Sequence, residues 1–266
     1  MEKYAKATSV IVILAVVLFV VCGISFNLIF RHISYSFYKN AEPSTTRDTS
    51  ISRLEIGVNK DLIGYIRKGE ANRTILYFGG SGEIAYNAVL KYGEIFKDYT
   101  LVSVDYPGSQ ESKGFMNLET MQEAAVRLYD YVLDLDSAAK DNIYVVGYSY
   151  GTGIAAYLAS QRDCVGLVLV APYRNVIDLY NAIIPVFHSP FGWFITDNIN
   201  TKEYAKTVSA RTLIITSNSD TTIKSSISYS LADDFSHASV SEFSGLKHEE
   251  YWSNPEVIST ILSFCE

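Results

Sequence analysis

Five consecutive residues, Gly147-Tyr148-Ser149-Tyr150-Gly151, have the types and spacing needed to present a serine nucleophile. A β-rich apolar run leads into them and a helical run of small residues follows, which is the context that a G-x-S-x-G turn requires. Such a turn strains the serine and exposes its hydroxyl, while the two glycines let the strand and the helix pass closely. The pattern therefore predicts that Ser149 is a nucleophile.

A serine hydroxyl is a weak nucleophile at neutral pH, so the same site needs a histidine base and an acid that orients it. Two histidines follow Ser149 far enough along the chain to lie beyond a later strand, namely His237 and His248. His237 precedes the last predicted strand, whereas His248 follows it on a loop after Gly245. We predict that His248 is the base, and the alternative is a histidine of a surface loop.

The orienting acid is predicted to be Asp220, which follows the apolar strand 212–216 through three small polar residues. That position lies on a loop at the same edge of the sheet as the nucleophile. Asp233 and Asp234 fall inside a helical pattern, where contact with solvent is expected. Asp197 falls in an apolar insertion, which does not suit a fixed orienting group.

A glycine-rich run, Phe78-Gly79-Gly80-Ser81-Gly82, follows an earlier predicted strand. Backbone amides at such a turn can approach a developing oxyanion, so Gly80 and Tyr150 are the predicted donors of an oxyanion hole. A turn of this kind can also bind phosphate, but the sequence has neither the G-x-x-x-x-G-K-[ST] nor the G-x-G-x-x-G spacing. The oxyanion interpretation is therefore favoured.

The elements that must position these residues alternate between β-rich and helical runs. The predicted strands are 74–78, 100–105, 143–148, 165–171, 212–216 and 239–243. The predicted helices are 85–97, 118–139, 151–161, 225–234 and 255–264. Several strands are continuously apolar, which is typical of a mostly parallel α/β sheet covered by helices on both faces. Two earlier runs, 51–58 and 62–67, predict an antiparallel hairpin at the edge of the sheet.

One apolar stretch, about 172–206, interrupts this alternation. It is rich in aromatic residues, contains Pro185 and Pro190, and is too apolar for a solvated loop. As a short cap over the carboxyl ends of the strands, it could line a pocket for an apolar substrate. The alternative, that the aromatic side chains only cover the sheet, stays open.

The apolar run at residues 10–30 is long enough to span a bilayer as one transmembrane helix. Lys3 and Lys6 precede it and Arg31 follows it, without a convincing small-x-small cleavage site after the apolar core. We expect an uncleaved, single-pass membrane anchor, and the alternative is a cleaved secretory signal. Because basic residues flank both ends, the side of the membrane that holds the rest of the chain stays open.

The sequence thus divides into an anchor at 1–39, with its span at about 9–30, a linker at 40–52 and a domain at 53–266 that includes the cap. The linker is rich in Ser, Thr, Pro and charge. A chain that begins near Ser44 is therefore expected to fold and act by itself.

Composition narrows the functional classes. The net charge of −7 comes without a basic block, which argues against a nucleic-acid partner. Three cysteines form no disulfide framework, and no CxxC or HExxH spacing occurs. We therefore expect neither a metal nor a cofactor, so the chemistry must come from side chains.

With these elements in this order, the chain from about Ile51 onward resembles the α/β-hydrolase superfamily. It is most similar to the Bem46-like, ABHD-type membrane-anchored serine hydrolases in the nucleophile turn and in the segments 77–82, 104–108 and 246–250. The resemblance implies an α/β-hydrolase fold and hydrolysis of esters, thioesters or lipid acyl bonds. Phe78 departs from the family, which often has His there, and Ser217 stands where Gly commonly opens the loop of the acid.

The leading hypothesis is a membrane-anchored serine hydrolase that uses Ser149, Asp220 and His248 to cleave carboxylic ester or thioester bonds of acyl or lipid-like substrates. A serine peptidase of the same fold is one alternative, because the same triad cleaves amides. A catalytically silent scaffold module is the other.

Overall fold

The computed structural model describes residues 2–135 and 141–266, and its centre is one eight-stranded sheet. The strands lie in the order β1-β2-β4-β3-β5-β6-β7-β8. They are β1 (Ile51–Ile56), β2 (Leu62–Arg67), β3 (Thr74–Phe78), β4 (Thr100–Val104), β5 (Ile143–Tyr148), β6 (Gly166–Val170), β7 (Arg211–Ser217) and β8 (Ala238–Phe243). β2 pairs antiparallel with β1 and β4, and the pairs from β4 to β8 are parallel. The predicted edge hairpin and mostly parallel sheet are both confirmed.

Helices cover both faces of the sheet. They are α1 (Glu2–Lys39), α2 (Ala85–Tyr92), α3 (Leu118–Leu135), α4 (Gly151–Gln161), α5 (Val176–Ile183), α6 (Thr201–Ala205), α7 (Ser225–Ala232) and α8 (Pro255–Cys265). α3 and α4 contribute to the apolar core on one face, and α2 and α8 contribute to the core on the other. Strands β3 and β6 are buried along their whole length, as their continuous apolar sequence predicts.

One predicted helix is much shorter in the structure, and the end of another lies outside the described residues. α2 stops at Tyr92 instead of residue 97, because Gly93 follows at once and glycine is a poor helix former. α3 is described as far as Leu135, and the end of the predicted helix, residues 136–139, lies outside the described residues.

The insertion between β6 and β7 contains α5, a 3-10 turn at Pro190–Phe194 and α6. Because β6 and β7 are parallel neighbours, this connection begins at the carboxyl ends of the strands, where Ser149 also lies. We call this insertion the cap.

Helix α1 has 38 residues, which corresponds to about 57 Å. Its segment Ala7–Lys39 is long and apolar enough to cross a membrane by length and composition, and its most apolar part is almost entirely exposed. Farther along, Phe30, Tyr35 and Tyr38 are buried against the rest of the chain. The carboxyl-terminal part of α1 therefore belongs to the apolar core, which the sequence did not indicate.

The segment that follows α1 lies against α2. The amide of Asn87 accepts a hydrogen bond from the Ser44 N–H and donates one to the Glu42 carbonyl. The hydroxyl of Tyr86 donates to the Thr46 carbonyl. Residues 42–46 of the predicted linker are thus held on the surface of the domain.

Candidate active site

The turn between β5 and α4 places Ser149 in a left-handed conformation, with φ at 49°. Its N–H donates to the Val170 carbonyl at 2.9 Å, which ties the turn to the end of β6. A Cβ atom on Gly147 would lie 2.7 Å from the Cβ of Ala155, and one on Gly151 would lie 2.2 Å from the Phe78 oxygen. Both glycines are therefore required for the close crossing of strand and helix, as the motif predicts.

Three loops that are distant in sequence bring the predicted nucleophile, base and acid together. Nε2 of His248 lies 2.8 Å from Oγ of Ser149, and Nδ1 lies 2.8 Å from Oδ2 of Asp220. The acid follows β7 and the histidine follows β8, so both lie at the carboxyl ends of parallel strands beside the nucleophile. The three side chains have the geometry of a Ser-His-Asp triad.

Asp220 is buried and is held by several hydrogen-bond donors. Its Oδ1 accepts the N–H groups of Thr222 and Ile223, and its Oδ2 accepts from His248 and from the hydroxyl of Tyr251. Burial raises the pKa of this carboxyl, but the hydrogen bonds from His248, Ile223 and Thr222 outweigh burial, so its pKa lies below the ordinary value. An ionised Asp220 makes Nδ1 of His248 the donor and leaves the lone pair of Nε2 for Ser149.

Two aromatic residues that the sequence did not single out hold His248 and Asp220 in place. The Tyr148 hydroxyl donates to the His248 carbonyl at 2.7 Å, and its ring stacks on the imidazole at 5.6 Å between centroids. The Tyr251 hydroxyl donates to Asp220 at 3.1 Å. Tyr148 lies within the nucleophile turn and Tyr251 directly follows the segment 246–250, but neither residue has a sequence spacing that predicts its role.

The departure from the family pattern at Ser217 has a structural role. Its hydroxyl donates to the Leu246 carbonyl at 2.7 Å and accepts the N–H of Ser219 at 3.1 Å. It thereby joins the loop of the acid to the loop of the histidine. A glycine at this position lacks the hydroxyl that makes this link.

The two predicted oxyanion donors, the N–H groups of Gly80 and Tyr150, have different surroundings. Gly80 lies against the nucleophile, since a Cβ built there would be 3.5 Å from the Cβ of Ser149, but its N–H donates to Oε2 of Glu83 at 3.3 Å. Glu83 also accepts the hydroxyls of Tyr77 and Tyr92. Gly80 therefore has to exchange this long hydrogen bond before its N–H can serve an oxyanion. Tyr150 stands at the N-terminus of α4, where the helix dipole favours negative charge.

Two cavities meet at Ser149. The first has a volume of about 330 Å³ and is called the polar cavity because most of its lining residues have polar side chains; these residues are Gly80, Ser81, Glu83, Tyr148, Ser149, Thr222 and His248. An apolar one of about 440 Å³ is lined mainly by side chains of α1 and α5, and it reaches Ser81, Ser149, Tyr150 and Thr222 at one end. Both volumes are within the range of small-molecule sites.

The histidine and the aspartates that were set aside lie elsewhere. His237 is exposed and precedes β8, so it lies at the opposite end of the sheet from Ser149. Asp234 pairs with Arg174, and Asp197 binds Arg31 of α1. Within residues 2–135 and 141–266, no three His, Cys, Asp or Glu side chains form a group suited to a metal ion.

Comparison with known proteins identifies the fold. The profile of a family described as having the alpha/beta hydrolase fold matches residues 77–197. An esterase of Pyrococcus furiosus superposes with a TM-score of 0.68 at 15% identity, covering 84% of this chain and 94% of its own. An acetyl xylan esterase of Paenibacillus gives a TM-score of 0.61 at 14% identity, covering 89% of this chain and 92% of its own.

A monoacylglycerol lipase of Paleococcus ferrophilus superposes with a TM-score of 0.56 at 16% identity, over 77% of this chain and 98% of the lipase. In sequence, the chain is 29% identical over 112 residues to the dihydrolipoyllysine-residue acetyltransferase component of the acetoin cleaving system of Cupriavidus necator. That match covers 41% of this chain and 29% of the relative, so this chain spans under a third of the length of that relative.

These likenesses confirm the predicted α/β-hydrolase fold, and they agree with the expectation of a hydrolase. The similarity to the Bem46-like, ABHD-type hydrolases stays a prediction.

Proposed function

From the α/β-hydrolase fold and the geometry at Ser149, we propose that this chain is a membrane-anchored serine hydrolase of carboxylic esters or thioesters. The single observation that carries the proposal is the unbroken hydrogen-bond chain from Ser149 through His248 to Asp220. Such a chain activates a serine hydroxyl for attack on an acyl carbonyl.

The reaction begins when Oγ of Ser149 attacks the carbonyl carbon and its proton passes to Nε2 of His248. The tetrahedral oxyanion is stabilised by backbone N–H groups, for which Tyr150 at the N-terminus of α4 and Gly80 are our candidates. The ionised Asp220 stabilises the imidazolium that forms.

The intermediate then collapses to an acyl-enzyme, and His248 gives its proton to the departing oxygen or sulfur. A water molecule next attacks the acyl carbon while His248 accepts its proton. Release of the carboxylic acid returns the proton to Oγ of Ser149. The atoms and protons balance without a cofactor.

The apolar cavity supports an acyl substrate over a peptide. A peptide strand needs partners for its backbone groups, because unpaired polar groups are costly to bury. The hydroxyls of Ser34 and Tyr180 in this cavity bond to each other at 2.8 Å and leave mostly hydrocarbon surface for a substrate. The membrane location is supported by the apolar, exposed part of α1.

Labelling by a small fluorophosphonate tests this function. The full chain is expected to label at one serine, and Ser149→Ala is expected to abolish both labelling and the hydrolysis of p-nitrophenyl acetate. Ser160→Ala, in the last turn of α4, serves as the matched control and is expected to retain both. An unlabelled wild-type chain favours the scaffold alternative, and cleavage of peptides but not esters favours the peptidase.

A further inference from the structure

Helix α1 forms one wall of the apolar cavity that opens at Ser149. Its lining side chains follow one face of the helix and are Phe26, Ile29, Phe30, Ile33, Ser34 and Phe37. At the end near the nucleophile, Phe37 lies against the glycine-rich turn, since a Cβ on Gly82 would be 3.1 Å from the Phe37 carbonyl oxygen. The anchor is therefore also a component of the candidate active site.

The cap forms the opposite wall. Leu179 and Tyr180 of α5 line the cavity together with Ile184. The Tyr180 ring packs on Phe30 with 4.6 Å between centroids, and Phe187 packs on the same ring of α1 at 5.0 Å. The cavity is thus a slot between α1 and α5 that neither element forms alone.

The slot extends from the nucleophile toward the membrane-spanning part of α1. From Phe37 to Phe26 the lining residues extend over eleven residue steps, or about 16 Å along the helix axis. Phe26 lies inside the uncharged apolar run that precedes Arg31. One end of the slot is therefore at the catalytic groups and the other is at the level of the proposed bilayer.

The cap reaches this outer end, where Phe191 packs on Phe26, and extends farther along α1. Phe191 and Phe194 of its 3-10 turn pack on Phe19 of α1, with 4.8 and 5.4 Å between ring centroids. Between them, Trp193 is 83% exposed. Large exposed apolar side chains beside a membrane span are typical of surfaces that enter lipid. The tip of the cap thus provides a contact with the bilayer at the mouth of the slot.

The position of His248 determines which part of an ester occupies the slot. The general acid must reach the leaving group, so that group lies on the side of the serine that faces His248. His248 lines the polar cavity, whereas the described residues around the apolar slot do not include it. The acyl chain consequently lies in the slot, and a polar alcohol or thiol leaves through the polar cavity.

We propose that the substrate is a lipid ester of the bilayer, whose long acyl chain enters laterally between α1 and the cap and lies along α1 up to Ser149. This inference rests on the proposed hydrolase function and adds to it the substrate class and the route of entry. Helix α1 acts in it as an acyl-binding element as well as an anchor.

A bulky substitution in the slot provides the first test, made on the full chain in detergent micelles. Ile33→Trp fills the slot from α1 and is compared with Leu28→Trp, whose exposed side chain lines a different groove of α1. On p-nitrophenyl palmitate, Ile33→Trp is expected to lower kcat/KM by about tenfold or more, because the long chain loses its apolar site. On p-nitrophenyl acetate, Leu28→Trp is expected to stay within about twofold of wild type, and Ile33→Trp is expected to lose much less than it does on palmitate, because acetate has no long chain to place in the slot.

Small-fluorophosphonate labelling separates failure of this inference from failure of the proposed function. If the wild-type chain does not label, the hydrolase function itself is wrong. If Ile33→Trp labels as the wild type does but hydrolyses both esters normally, the slot does not hold the acyl chain. A loss that is equal on acetate and palmitate, or shared by Leu28→Trp, also overturns the inference.

The source of the substrate is tested with the full chain in vesicles of a dialkyl ether phosphatidylcholine that contain a fluorogenic diacylglycerol ester analogue. The ether lipid has no acyl ester to compete for hydrolysis. When it dilutes the analogue at constant bulk concentration, entry from the bilayer predicts a rate that falls with the mole fraction of the analogue in the membrane. A rate that is independent of this mole fraction indicates capture from water and overturns the lateral route. Trp193→Ser is expected to lower the rate in vesicles more than the rate on p-nitrophenyl acetate in micelles, and an equal effect on both overturns the bilayer contact at the mouth of the slot.

Discussion

Directional hydrogen bonds hold the candidate triad, whereas packed aromatic rings hold the interface between α1 and the cap. At the triad, Asp220 alone has four donors, and each is within 3.1 Å. At the interface, Phe30 contacts two other rings and Phe26 contacts two as well. Hydrogen bonds need one orientation, but ring packing tolerates several shapes of similar volume.

The interface between α1 and the cap also contains a charged contact. Asp197 of the cap accepts Nε of Arg31 at 2.9 Å and the hydroxyl of Tyr35 at 2.7 Å. It fixes α1 on the cap at a defined height, next to a slot that is otherwise apolar. From this difference we expect changes at the triad to affect turnover and changes at the interface to affect stability and chain-length preference.

The largest effect is expected for His248→Ala. Because the imidazole accepts and returns every proton, kcat is expected to fall by roughly 10⁴ to 10⁶, close to the loss for Ser149→Ala. The double variant is expected to be little worse than either single one, since the residues act as a unit. Single-turnover acylation by an activated ester measures the effect. His237→Ala is the matched control. If His237→Ala is inactive and His248→Ala is active, the base is His237 and not His248.

Removal of α1 is expected to have the next largest effect. A chain that begins at Ser44 loses the buried rings of Phe30, Tyr35 and Tyr38, and truncating such a ring typically costs about 3–5 kcal/mol. We therefore expect a marked fall in Tm and weak fluorophosphonate labelling, measured by thermal denaturation and gel fluorescence. Removing residues 2–6 alone is the control. If the chain that begins at Ser44 keeps full stability and labelling, α1 is only an anchor and the division into anchor, linker and domain holds.

A smaller effect is expected from the buried Asp105. Burial raises the pKa of its carboxyl to about 7, although the hydrogen bond from the Ala85 N–H lowers this pKa in part. The folded state therefore binds a proton that the unfolded state has released, and the free energy of unfolding falls as pH rises from about 4 to 7. Asp105→Asn is expected to remove this slope in urea unfolding followed by fluorescence.

The exposed Asp98 provides the matched control for that pH dependence. Asp98→Asn is expected to keep the wild-type slope between pH 4 and 7. If Asp105→Asn keeps it too, Asp105 is ionised in the folded protein and the dependence originates elsewhere.

The smallest effect is expected for Ser217→Gly, which installs the residue common in the family. Losing the hydrogen bond to the Leu246 carbonyl is expected to cost about 1 kcal/mol, or a few-fold in kcat, because the loops of the acid and the base are less well aligned. Kinetics on p-nitrophenyl acetate measure this loss, and Thr221→Gly, at an exposed position of the same loop, provides the neighbouring control. An unchanged or faster Ser217→Gly shows that the link between these loops does not position the triad.

Sequence patterns predicted those features that a single segment carries. The G-x-S-x-G turn, the apolar strands and the order of acid and histidine after them each depend on a few adjacent residues. Because parallel strands end at one edge of a sheet, correct strand assignment was enough to bring Ser149, Asp220 and His248 to the same edge. The same reasoning placed His237 at the opposite end.

Only the tertiary structure decided how distant segments meet. The link from Ser217 to Leu246 and the support of Asp220 by Tyr251 depend on loop conformations that no periodicity specifies. The proposed double role of α1 depends on tertiary packing most of all. Its apolar sequence has the same character whether lipid or the cap covers it, since both environments remove hydrocarbon from water. Packing against α5 is what turns one face of this helix into a wall beside Ser149.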